Sequence, residues 1–81
     1  MNRNYVSSSN IRSIGFDPDS NTLEVEFHGG GLYQYDGVSQ ELYDEFMNSG
    51  SKGRFFHLNI KNDYSYRRIS WQLLIRSSLN M

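Results

Sequence analysis

The run Thr22-Leu23-Glu24-Val25-Glu26-Phe27 constrains this chain more than any other. Its apolar members Leu23, Val25 and Phe27 alternate with Thr22, Glu24 and Glu26. Side chains two apart on a strand share a face, so the run buries one side of a sheet and wets the other. His28-Gly29-Gly30-Gly31 follows and reads as a hairpin turn, since glycine reaches the positive φ that tight loops need. Leu32 to Tyr35 then return as the next strand. A hairpin with one apolar side must be covered by the rest of the chain, and both flanks carry material for that.

Ser9 to Phe16 reads as a strand ended by the turn sequence Asp17-Pro18-Asp19-Ser20-Asn21. Ile14 and Phe16 share a parity that Ile11 lacks, so either a bulge intervenes or Ile11 lies outside the pairing. After Asp36-Gly37, Ser39 is a good N-cap for a helix over Gln40 to Asn48, with Gly50 placed to end it. Val38, Leu42, Tyr43, Phe46 and Met47 form its apolar stripe. Ser51 caps a second helix to about Ile60, with Gly53, Phe56 and Ile60 inward and Arg54, His57 and Lys61 outward. Asn62-Asp63 breaks it, and Tyr64 to Ile69 return as an extended edge segment.

The expected fold is α+β, a three-stranded antiparallel meander packed by two helices with a short C-terminal extended segment. Leu23, Val25, Phe27, Leu42, Phe46, Phe56 and Ile60 are its expected core. Residues 1 to 81 read as a single domain with its core at about 6 to 69 and an extension at 70 to 81. In that extension Trp71, Leu73 and Ile75 alternate as in a strand, while Trp71, Leu74 and Ile75 also fit a helix capped by Ser70. These side chains either complete the core or meet a protein partner.

Composition narrows the function classes. The hydrophobic share is low at 37% while the aromatic share is 15%, so a few rings must supply most of the burial. Absence of cysteine removes disulfides, thiolate zinc sites and cysteine nucleophiles. No apolar stretch is long enough for a membrane span, and the expected location is the cytoplasm. Gly29-Gly30-Gly31 is not a phosphate loop, because it joins two strands and no lysine follows it. His28 and His57 stand in no triad or metal spacing, and the carboxylates Glu24, Glu26, Glu41, Asp44 and Glu45 fall on faces expected to be wet. No catalytic residue, metal or cofactor is expected, and the chain does not read as an enzyme.

Charge divides along the chain. Residues 1 to 47 hold two basic and eight acidic side chains, and residues 48 to 81 hold six basic and one acidic, giving −6 and +5. The halves either neutralise each other or the basic half meets an anion. Ser51, Lys52 and Arg54 at the second helix start are a candidate anion site, against simple capping. Tyr33 and Tyr35 project from one strand face, which suits base stacking or packing under the helices. With Lys52, Arg54, Lys61, Tyr64, Tyr66, Arg67 and Arg68 they make a candidate surface for RNA or single-stranded nucleic acid. A protein partner at Trp71, Leu74 and Ile75 is the alternative.

Leu32-Tyr33-Gln34-Tyr35 and Ser51-Lys52-Gly53-Arg54-Phe55-Phe56 occur together with Asn10-Ile11, Phe16-Asp17-Pro18, Thr22-Leu23-Glu24-Val25 and Tyr64-Ser65-Tyr66. In that order and spacing they resemble the KTSC domain family, a small module named for its occurrence at the C-terminus of some lysyl-tRNA synthetases. The resemblance covers about Val6 to Ile69. It implies a compact α+β module, either stand-alone or fused to a synthetase, with RNA as the suggested partner. Two features depart from the family pattern: Leu58 at an outward helical position, and the tail containing Trp71.

Overall fold

The computed structural model describes residues 3–69. Strands β1 (Arg3–Tyr5), β2 (Ile11–Asp17), β3 (Thr22–Phe27) and β4 (Leu32–Asp36) precede helices α1 (Gln40–Asn48) and α2 (Lys52–Asn59), and β5 (Tyr66–Arg68) follows. The strands form one antiparallel sheet in the order β1-β2-β3-β4-β5. The α+β class and the two helices match the sequence reading, but the sheet has five strands where three were expected. The extended segment expected after α2 is itself a strand, pairing Tyr66 with Tyr35 and Arg68 with Tyr33. β1 carries only three residues and no apolar alternation. It forms because the outer edge of β2 offers unpaired backbone groups, and Arg3 pairs with Gly15 and Tyr5 with Ser13.

The first alternative for Ile11 is the one realised. Pairing shifts register between Ile11 and Ser13, which sets Ile11 opposite Phe27 and buries it completely. Ile11, Ile14, Phe16, Leu23, Val25 and Tyr35 from the sheet then close against Val38, Phe46, Phe56 and Ile60. Phe27 and Leu42, expected in the core, are only partly buried at its margin. Phe46 stacks on Phe55 at 5.4 Å and Phe16 on Tyr43 at 4.7 Å, so rings do supply much of the contact.

The helices begin where the serines predict. Ser39 Oγ accepts from the Leu42 amide at 3.1 Å, and Ser51 Oγ accepts from the Arg54 amide at 3.4 Å. Between them Ser49 ends α1, its hydroxyl donating to the Phe46 carbonyl at 2.7 Å. Gly37 sits at φ +80, a left-handed conformation that lets the chain leave β4 and enter α1.

The second face of the sheet is polar and tied across all five strands. Arg3 donates to Ser13 and pairs with Glu24, and Ser13 donates to Glu26 at 2.8 Å. Gln34 donates to Glu24 at 2.9 Å, and Arg67 bonds Gln34 at 3.1 Å and Asp36 at 2.8 Å. Glu24 is buried here rather than wet, because β1 brings Arg3 over it. Its carboxylate is held by a cation and an amide, which is the condition for burying charge.

Candidate functional site

Below α2, the β3–β4–β5 side of the sheet leaves an open groove of about 690 Å³. Register builds its floor. Tyr33 and Tyr35 share the helix-side face with Val25 and Leu23, and Tyr66 and Arg68 join them from β5. Phe56 reaches down from α2. The result is a closed ring of five aromatic side chains. Centroids are 5.8 Å apart for Phe27 and Tyr33, 5.9 Å for Tyr33 and Tyr66, and 5.7 Å for Tyr66 and Tyr35. Tyr35 and Phe56 at 5.4 Å and Phe56 and Phe27 at 5.3 Å complete it, both edge to face.

The walls are polar and cationic. Gly53 and His57 lie four apart on α2 and face the groove with Phe56, and Lys61 continues that side past the helix end. Arg68 stands on the β5 side, with Asn10 and Asn62 also lining the space. Among the described residues no Asp or Glu lines it. Gly53 allows the close approach that narrows one end, since a Cβ there would lie 3.3 Å from the Asn10 amide nitrogen. Gly31 does the same beneath Tyr33, whose ring would lie 2.8 Å from an added Cβ.

The candidate residues separate into two groups. Tyr33, Tyr35, Lys61, Tyr66 and Arg68 come together in the groove. Tyr66 is 60% exposed, Tyr33 is half-buried, and Tyr35 is only 4% exposed. Burial, and then the neighbouring Tyr33 and Tyr66 phenols, push the Tyr35 hydroxyl up to about 12 from its ordinary 10.0. The remaining candidates lie elsewhere. Lys52 Nζ donates to the Ser49 carbonyl at 2.8 Å and so closes the end of α1. Ser51 caps its helix, and Arg54 is exposed outside the groove lining. Arg67 points to the opposite sheet face beside Asp36, one residue out of phase with Arg68. Tyr64 packs partly buried against the core. Trp71, Leu74 and Ile75 lie outside the described residues.

Sequence reasoning missed Asn10, His57 and the two phenylalanines as groove residues. Phe27 and Phe56 read as core; Phe56 belongs to it and Phe27 lies at its margin. His57 reads as outward with Arg54, yet it stands only about 40° from Gly53 on a helical wheel while Arg54 stands about 100° away. His28, expected to be a solvated turn residue, is exposed and donates from Nε2 to the Ser8 carbonyl at 3.0 Å. Among the described residues no cluster of His, Asp or Glu is arranged to hold a metal, and no helix is long and apolar enough to cross a membrane.

Comparison with known proteins supplies kinship. The KTSC domain profile matches residues 7–64. A protein of uncharacterised function from Stutzerimonas stutzeri (strain A1501) is 41% identical over 70 residues, spanning 85% of this chain and 99% of that one. A lysine–tRNA ligase of Nostoc sp. (strain PCC 7120) is 36% identical over 60 residues, which are 74% of this chain and 11% of the ligase. The crystal structure of a KTSC domain protein from Yersinia pestis superposes with a TM-score of 0.83 at 48% identity, covering 85% of this chain and 97% of that one.

Proposed function

The chain belongs to the KTSC domain family, and from that premise we propose that it is a non-catalytic, cytoplasmic binding module whose aromatic groove takes single-stranded RNA. The observation that carries this reading is an open groove with an exposed Tyr66 and a half-buried Tyr33 lined also by Lys61 and Arg68, with no acidic side chain among the described residues that line it. An unstacked base gains about 1 to 3 kcal/mol on an aromatic face, and flanking cations hold the adjoining phosphates. The kinship with a stretch of a lysine–tRNA ligase favours RNA over DNA as the strand.

Fluorescence anisotropy with short single-stranded RNA at about 50 mM salt tests it, since low salt favours phosphate contacts. Two phosphate contacts on a single strand give a log–log salt slope near −1.4, so affinity falls about sevenfold between 50 and 200 mM salt. Lys61→Glu with Arg68→Glu abolishes binding, and Arg54→Glu changes it little because that side chain stands outside the groove. Absence of binding, or equal sensitivity to Arg54→Glu, refutes the reading. It would favour a protein-binding module instead, for which Leu58, 62% exposed on α2, is the supporting observation.

A further inference from the structure

The least expected group in the groove is the Tyr35 hydroxyl. The residue is 4% exposed and lies in the floor, with its ring held edge to face by Phe56 and tilted against Tyr66. Among the described residues no backbone or side-chain group hydrogen-bonds that hydroxyl, although a buried O–H ordinarily has a partner. No fully buried side-chain oxygen among those residues lacks a partner. The hydroxyl therefore belongs to the small part of Tyr35 that still meets the groove. It is the most deeply set hydroxyl of an aromatic floor, open to whatever enters the groove.

We infer that Tyr35 is the specificity-determining residue of the groove, its hydroxyl donating to an acceptor on the edge of a single unstacked base seated between Tyr66, Phe56 and the Lys61 wall. This rests on the proposed RNA-binding function and adds to it that the site reads a base and not only a strand. A base seated on the floor displaces water from the hydroxyl, so a base that offers no acceptor there leaves the donor unpaired, and discrimination by unpaired polar groups is the stronger kind. Burial keeps the phenol protonated far above neutral pH, so the donor is present under all working conditions. Lys61 and Arg68 supply sequence-independent attraction to phosphate, and Tyr35 supplies preference.

The test compares hexamers of uridine, cytidine and adenosine with a ribose-phosphate hexamer lacking bases, each titrated by anisotropy against wild type and Tyr35→Phe. Wild type binds its preferred hexamer about tenfold more tightly than the least preferred, and more tightly still than the abasic strand, in proportion to one satisfied or orphaned hydrogen bond. Tyr35→Phe retains the ring and the melting temperature, brings the three hexamers within about threefold of one another, and leaves abasic binding unchanged. A Tyr35→Phe variant that keeps the wild-type preference overturns the inference. So does a wild type that binds the abasic hexamer as tightly as the others, a comparison that decides even if the variant fails to fold. Equal binding of all strands leaves RNA binding standing and removes base reading, whereas no binding of any strand removes both.

Discussion

Replacing Phe56 with alanine tests the joint between α2, the sheet and the groove. Phe56 is 7% exposed and packs edge to face on both Phe27 and Tyr35, at 5.3 and 5.4 Å. Truncating a buried phenylalanine costs about 3 to 5 kcal/mol through lost transfer energy and the cavity left behind. A chain of this length has roughly 4 to 12 kcal/mol in total, at about 0.05 to 0.15 kcal/mol per residue. Phe56→Ala therefore removes a large part of the stability and lowers the melting temperature by roughly 12 to 40 °C, at about 4 to 8 °C per kcal/mol. Phe56→Leu separates the causes, because it restores most of the volume but not the two ring pairs. At about 0.5 to 1.5 kcal/mol per pair, it loses about 1 to 3 kcal/mol. Thermal melts followed by far-UV circular dichroism, with urea denaturation as a check, measure both variants. A Phe56→Ala melt within about 3 °C of wild type, under 1 kcal/mol on the same scale, would refute this packing.

Further perturbations probe other parts of the fold. Arg3→Ala strips the cation from Glu24 and the donor from Ser13, and because the side chains are 27% and 12% exposed the loss is about 1 to 3 kcal/mol by urea denaturation. Arg12→Ala, at an exposed position, stays within about 0.5 kcal/mol. Alkaline unfolding reports on Tyr35. Below pH 10 both folded and unfolded chains keep the phenolic proton, and between pH 10 and about 12 only the unfolded chain releases it. Stability thus falls across that window by on the order of 2 kcal/mol, and the wild-type minus Tyr35→Phe difference in urea midpoints against pH isolates the effect. A flat difference curve would contradict the burial of that phenol.

What was legible in the chain follows from the range of the interactions that decide it. The β3–β4 hairpin and both helix starts are local, written in the alternation of Leu23, Val25 and Phe27 and in the caps Ser39 and Ser51. The parity break at Ile11 left either a bulge or an unpaired residue open, and the pairing of β2 with β3 decides for the bulge. β1 was not legible, because Arg3, Asn4 and Tyr5 become a strand only by pairing with a distant edge. The same gap hid the burial of Glu24, whose partner comes from β1. In the groove, Tyr33 and Tyr35 were visible as a pair sharing a face, but their burial depends on where α2 crosses. The separation of Arg67 from Arg68 depends on the β5 register, since one residue along a strand reverses the face. Lys52 looked free by charge and position, and its bond to the Ser49 carbonyl arises from the tight junction between α1 and α2.

The most direct test of the central claim is a ¹H–¹⁵N correlation titration of the intact chain with a short single-stranded RNA at low salt. The account predicts that shifted amides cluster at Asn10, Tyr33, His57, Lys61, Tyr66 and Arg68, with Arg54 and the Arg3, Glu24 and Arg67 face unmoved. Shifts centred on that opposite face, or on the outer side of α2 at Arg54 and Leu58, or none at all at millimolar RNA, would contradict it.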